Sequence, residues 1–411
     1  MTYKASSLSE LESFFASGET LYVSGCAAEI PGFEQLAVFR DRTSPLTISG
    51  IFLPGINRHD YTRLGDNVAC QTFFMTPQLA AARGRVEYCP WRYRDILAFY
   101  QRQAVDIAVV MLSEPDANGV CSYGVCADYA PLVLPQARVK IGVINRQMPY
   151  TMGCSGIHVD DLDALFCLDQ PLIDVPSQTP DETSTAMAKT VAAYIGDGAT
   201  LQLGLGKVPS SVVTQLADRR DLRVISGLLD ESMLALETSG AMAANQPAIV
   251  GVGLGTANFY RALDRNERFQ FQPVSVTHDL QTLAQTPNLV TVNGALEVDL
   301  FGQVNSSVTS RGHLSGPGGL PEFVNGALSS KGGRSIIVLP ATAGKDALSK
   351  IVPSLTGSMP SVSAIDADVV VTEYGAAELR GKSLKQRIRA MIAIAAPQHR
   401  ETLEEQSRGL V

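Results

Sequence analysis

Two segments leave the fold little freedom. From Val105 to Leu112 every residue except Asp106 is apolar, and Val139 to Ile144 does the same around Lys140 and Gly142. A strand with one wet face alternates in polarity, whereas an unbroken apolar run belongs to a strand covered on both faces. Such strands occur in parallel sheets flanked by helices. The neighbouring sequence follows the same grammar. A short helix is expected over residues 7–17. A strand at Thr20 to Ser24 runs into Gly25 to Pro31, with a helix expected from there to about Arg40. Leu46 to Phe52 reads as a further strand, closed by a loop at Leu53 to Arg58 that carries Pro54 and Gly55.

The polar, twice-prolyl stretch Val175 to Thr183 reads as a domain boundary. A helix at Ser184 to Ile195 follows it. Strands are expected near Thr200–Leu203, Arg223–Ile225, Ala248–Val252, Leu289–Val292, Ser335–Leu339 and Val369–Thr372. Ser383 to Ala396 is an amphipathic helix that Pro397 is expected to end. The expectation is an α/β protein of two similar, open, largely parallel-sheet domains, residues 1–178 and 179–411. The halves echo each other. Leu21 to Gly25 running to Pro31 matches Leu201 to Gly206 running to Pro209. Glu114-x-Asp116-x-x-Gly119 matches Glu297-x-Asp299-x-x-Gly302, and each is followed by a basic-flanked apolar strand, at Lys140 and at Arg334. Duplication and the shared grammar of any two α/β halves both account for these matches.

With 411 residues, 45% of them hydrophobic, two cores are affordable. A net charge of -8 argues against a general nucleic-acid surface, so an anionic ligand needs a local basic lining. The start, MTYKASSLSELESFF, has no apolar stretch behind a basic one, and no run of about 18 apolar residues occurs. No signal peptide or membrane span is expected, and the setting expected is cytoplasmic. The seven cysteines form no CxxC and the five histidines do not cluster near them, so buried reduced thiols are expected and no metal site.

Asn293 to Phe323 begins as a buried strand and ends in Ser315-Gly316-Pro317-Gly318-Gly319. Glu297, Asp299, Gly302, Gln303 and Asn305 between them are too polar and glycine-dotted for simple core. Gly318 and Gly319 lack a Cβ, so the backbone can take positive φ and approach a ligand. Amides in such a loop can hold an anion, and a tight surface turn uses the same residues. Gly204-Leu205-Gly206-Lys207-Val208-Pro209 stands between a strand and a helix, which aims a helix N-terminus at any ligand there. It lacks the third glycine of a dinucleotide fingerprint, and alone it reads equally as a tight βα turn.

These stretches resemble the acetyl-CoA hydrolase/transferase family, the single-chain branch of the CoA-transferases that includes the 4-hydroxybutyrate and butyryl CoA-transferases. The resemblance covers nearly the whole chain. It rests on Val298 to Asn305 (VDLFGQVN), on Ser315 to Phe323 with Pro321 and Glu322 in its last variable places, on Ser330 to Thr342, on Ser349 to Pro353 and on Val370 to Gly381. It implies an active site between two α/β domains and CoA or acyl-CoA as substrate, with no further cofactor. It implies CoA contacts from Gly204, Gly206, Lys207, Val208 and Gly316, and from Lys331 or Lys345 by position. Gly318 and Gly319 would stabilise an oxyanion, while Glu373 and Arg380 are expected to pair or to brace the loop, a structural role in either case. A carboxylate acceptor and a homodimer or higher homo-oligomer are the remaining partners it implies.

The sequence departs from the family at one place. Family transferases attack the acyl-CoA with a glutamate that stands thirteen residues before a glycine closing the next helix, and form a glutamyl-CoA thioester. Here that closing glycine is Gly240, and thirteen residues back is Gly227. Gly227 has no nucleophile; its missing side chain is expected to leave space for water or a substrate group, at a position of possible positive φ. Glu231 stands close by, where the family usually has Asp, and reads also as a cap or solvated acid. Three functions follow: hydrolysis of an acyl-CoA, or another non-glutamyl route; CoA transfer through a displaced carboxylate such as Glu231 or Glu297; and CoA binding without catalysis.

Overall fold

The computed structural model describes residues 2–82, 84–310, 312–344, 348–357 and 359–410. It contains two compact units. The first comprises Met1–Pro176, Ala248–Thr277 and Leu314–Gly318; the second comprises Ser177–Pro247, His278–His313 and Gly319–Val411. The chain thus leaves the first unit at Pro176, inside the polar stretch read as a boundary, and returns to it twice.

The first unit is built on an eight-stranded, wholly parallel sheet. Its order is Tyr3–Ala5, Ala164–Leu168, Val139–Asn145, Ile107–Leu112, Thr20–Val23, Leu46–Gly50, Val68–Thr72, Val86–Tyr88. Ile107–Leu112 is buried at every residue, which is what its unbroken apolar sequence requires. Each of its Ile, Val, Met and Leu side chains contributes about 1.5–3 kcal/mol when removed from water. In the second unit the order is Gly375–Glu378, Val369–Thr372, Arg334–Val338, Leu289–Gly294, Thr200–Leu203, Arg223–Asp230. All pairs are parallel except the edge strand Gly375–Glu378, which runs antiparallel. In each sheet an early strand lies in the middle. Thr20–Val23 lies between the strand that follows it and a later returning one, and so does Thr200–Leu203. Ligands of open α/β sheets bind outside the carboxyl ends of the strands at such a switch point.

The repeated Glu-x-Asp-x-x-Gly turns share one plan of hydrogen bonds. Asp116 Oδ1 accepts from the amides of Asn118 and Val120 at 2.8 and 3.0 Å; Asp299 Oδ1 accepts from those of Phe301 and Gln303 at 3.0 and 2.9 Å. Gly119 and Gly302 close the turns with φ of 81° and 95°. The polarity of the Glu297–Asn305 segment is therefore mostly spent on its own hairpin, with Glu297 Oε2 accepting from Asn305 Nδ2 at 3.2 Å.

Several local expectations change. Residues 7–17 form a 3-10 turn, Leu8–Leu11, and one α-turn, Glu12–Phe15. The segment after Pro31 is not one helix but two short 3-10 turns, Phe33–Gln35 and Ala37–Phe39. Phe33 and Phe39 both point into an aromatic cluster with Phe15, so packing outweighs helical propensity there. Pro397 does not only end the helix before it: it occupies the first turn of a new one, Pro397–Ser407, where its missing N–H is no loss. All seven cysteines are free thiols and five are buried, but Cys167 is exposed and Cys154 partly so. No described helix is long and apolar enough to cross a membrane.

Candidate active site

The carboxyl edge of the second unit's sheet gathers most of the residues singled out in the sequence. Thr200–Leu203 ends in Gly204, whose amide donates to Val292 O at 2.9 Å on the neighbouring strand. Gly206 has φ 131°, a conformation that side chains disfavour, and it opens the helix Lys207–Thr214. The first-turn amides of Lys207 and Val208 have no intrahelical acceptor. The Lys207 ammonium pairs with Asp181 Oδ2 at 3.0 Å, which ties the loop to the capping residue of helix Glu182–Ala192. Backbone hydrogen bonding and the Asp181–Lys207 pair together hold the Asp181 carboxyl down at about 2.

Gly227 lies within the adjacent strand, Arg223–Asp230. Thr200 is opposite Arg223 and Ser226 Oγ donates to Leu203 O at 3.2 Å, so Gly204 and Gly227 lie on neighbouring strands at one edge. Asp230 joins the two parts: its Oδ2 accepts from Ser210 Oγ, on the loop's helix, at 2.7 Å. Its Oδ1 accepts from Ser232 N at 3.0 Å and so begins the helix Ser232–Thr238. Glu231 is half-buried beside it and accepts from Ser177 Oγ at 3.4 Å.

Gly227 does not have positive φ, and the space beside it is not open. A Cβ placed there would lie 2.7 Å from His278 Cε1 and 2.9 Å from its Nε2. The expectations of a left-handed backbone and of room for water are both replaced by an imidazole. Gly319 differs from expectation in the same way. With φ -84° and ψ 2° its backbone suits any residue, but an added Cβ would meet His278 Nε2 at 2.2 Å. Gly318 does take positive φ, at 57°. His278 is 5% exposed and its ring packs on Phe323 with centroids 4.6 Å apart. Burial pushes its imidazole down from 6.5 to about 3, so the ring is neutral at physiological pH.

Gly316 and Gly318 belong to the first unit. Ser315 O accepts from Tyr88 Oη at 2.8 Å and from Met75 N at 3.3 Å, and a Cβ on Gly316 would strike Phe73 O at 2.1 Å. Gly316 is therefore demanded by close backbone approach. Lys331 does not join the gathered residues. It is exposed beyond the C-terminus of helix Leu320–Ser329, a helix length of about 15 Å from Gly319, and precedes its strand rather than following it. Lys345 lies outside the described residues. Glu373 accepts from Ala341 N at 2.9 Å and Arg380 donates to Leu328 O at 3.1 Å, bonds that go neither to each other nor to the Ser315–Gly319 loop.

Two features of this edge escaped the sequence reading. One is His278, a lone histidine with no periodicity around it. The other is a buried amide pair: Gln202 Nε2 donates to Asn293 Oδ1 at 3.2 Å and Asn293 Nδ2 to Gln202 Oε1 at 2.8 Å, directly beneath Gly204. A single amide inside each of two apolar strands was the available signal. Among the described residues no cluster suited to a metal ion occurs.

The fold and this edge define the chain as an α/β protein of the CoA-transferase kind. A sequence profile of the acetyl-CoA hydrolase/transferase C-terminal domain matches residues 255–407. The 4-hydroxybutyrate coenzyme A transferase of Clostridium kluyveri is 35% identical over 79% of this chain and 78% of its own. RipA from Yersinia pestis superposes with a TM-score of 0.89 at 27% identity, covering 99% of this chain and 97% of that one. The 4-hydroxybutyrate CoA-transferase of Porphyromonas gingivalis does so with a TM-score of 0.81 at 28% identity, over 100% and 98%. The chain belongs to the acetyl-CoA hydrolase/transferase family.

Proposed function

We propose that the chain cleaves an acyl-CoA thioester by hydrolysis, without a glutamyl-CoA intermediate. The observation that carries this reading is position 227: the residue where the family motif places its nucleophile is glycine, and an imidazole sits against it. No carboxylate at 227 can accept the acyl group. Asp230 is committed to Ser210 and Ser232, and Glu297 to Asn305. In this reading water is the acceptor. Its oxygen bonds to the thioester carbonyl carbon, one proton leaves it, and the C–S bond breaks with its electron pair going to sulfur. CoA departs as a thiolate and takes up a proton.

In this reading the carbonyl oxygen faces the first-turn amides of Lys207 and Val208, which are already oriented and gain strength as the oxygen becomes anionic. Gly204 and Gly206 let the backbone approach CoA. The experiment is a panel of acyl-CoAs of increasing chain length, with thiol release measured with and without acetate, followed by peptide mass spectrometry. Hydrolysis predicts thiol release independent of acetate and an unmodified Gly227 peptide. Acetate-dependent CoA transfer with CoA on Glu231 or Glu297 would replace hydrolysis with transfer through a displaced carboxylate. Binding without turnover would leave a CoA-binding protein.

A further inference from the structure

We infer that His278 is the residue that decides which reaction this site can run: its imidazole fills the volume that an acyl-accepting side chain at 227 would need. This rests on the reading of position 227 as the acyl-accepting place. Gly227 is inside an eight-residue strand, where glycine is unfavourable because it packs nothing and loses more backbone freedom on folding. Its φ is not positive, so the backbone does not ask for glycine. Gly319 is at the start of a ten-residue helix with backbone angles open to any residue. One neighbour accounts for both.

His278 is that neighbour. A Cβ at 227 would lie 2.7 and 2.9 Å from Cε1 and Nε2; a Cβ at 319 would lie 2.2 and 2.4 Å from Nε2 and Cδ2. The ring sits in a slot with a glycine on each side, and Phe323 packs on it at 52° between planes. A flexible side-chain end can usually step aside, but this one has Gly319 and Phe323 against it. Its backbone is also held, because Asp279 caps helix Leu280–Gln285 by accepting from Thr282 N at 2.8 Å and Thr282 Oγ1 at 2.7 Å. A glutamate at 227 would put its Cβ 2.7 Å from the imidazole Cε1 and 2.9 Å from Nε2, so the ring has to shift before the side chain fits. Restoring a carboxylate alone therefore does not restore transfer; the imidazole has to leave as well.

Two measurements test this. The first is a stability cycle of Gly227→Ala, His278→Ala and their combination, read as melting temperature. Gly227→Ala is expected to lower it by several degrees in the parent and by much less in the His278→Ala background. Gly319→Ala is expected to couple to His278 in the same way, which keeps the test decisive if one combination does not fold. Equal losses in both backgrounds at both glycines overturn the slot. The second measurement compares Gly227→Glu with Gly227→Glu/His278→Ala after incubation with butyryl-CoA, so that transfer to acetate forms a distinct product, acetyl-CoA. The double variant is expected to carry CoA on residue 227 and to transfer it to acetate at least about tenfold faster than the single one, a difference of about 1.4 kcal/mol in barrier. Equal transfer by the single variant overturns the role of His278. A double variant that shows the stability coupling and binds CoA, yet carries no adduct, overturns the assignment of acyl acceptance to position 227 while leaving the slot. If the parent does not hydrolyse acyl-CoA, the hydrolytic reading fails, but both measurements still decide this one.

Discussion

At His278 the cost of burying a titratable ring becomes a pH dependence. Its folded value of about 3 lies below the ordinary 6.5, so the unfolded chain binds the extra proton first. The stability tied to this ring is fully present above pH 6.5 and is lost as pH falls toward 3. Asp128 works in the opposite sense. Burial raises its carboxyl from 3.8 to about 6, beside Tyr22 and Cys26, so its contribution is greatest below 3.8 and is lost as pH rises through 6. Urea midpoints measured from pH 4 to pH 8 check both. His278→Asn is expected to flatten the loss on acidification. Asp128→Asn is expected to raise stability at pH 8 and to change little at pH 4. Each effect is on the order of a few kcal/mol at its limit.

At the scale of elements, the two Asp turns form a matched pair in unlike surroundings. Asp299 is fully buried and also accepts from Gln303 Nε2 at 2.8 Å, while Asp116 is half-exposed. Removing either carboxylate leaves the same two amides without an acceptor. Water can replace Asp116, but at Asp299 each stranded buried donor costs about 1–3 kcal/mol. Asp299→Ala is therefore expected to destabilise several-fold more than Asp116→Ala in urea unfolding. Equal losses would mean that both turns are equally wet. Elements such as these were legible where the information is local. Thr200–Leu203 and Val369–Thr372 are strands at the expected residues, and Ser383 caps its helix with Gln386. Phe33 to Phe39 was not legible, because long-range aromatic packing sets its conformation.

At the scale of the whole molecule, thiol burial separates the seven cysteines into classes. Burial pushes the thiols of Cys121 and Cys154 up to about 12 and about 11, and that of Cys70 higher still. Reactivity follows the thiolate and its exposure. Ellman's reagent is expected to label exposed Cys167 quickly, Cys154 slowly, and the five buried thiols only on unfolding. A fast phase that survives Cys167→Ser would contradict this.

What the sequence by itself determined about this chain is the set of features that adjacent residues decide together. Unbroken apolar runs require covered parallel strands, glycine turns end them, and the motifs from Val298 to Gly381 carry the family. The sequence also placed a glycine at 227. Only the tertiary structure decided why. Gly227, His278 and Gly319 are far apart in the chain and meet because parallel strands bring their carboxyl ends to one edge, with the N-terminus of helix Leu320–Ser329 beside it. A missing Cβ looks the same in sequence whether it frees a backbone or makes room for a ring. Space is a property of the neighbours, and the neighbours are chosen by the fold.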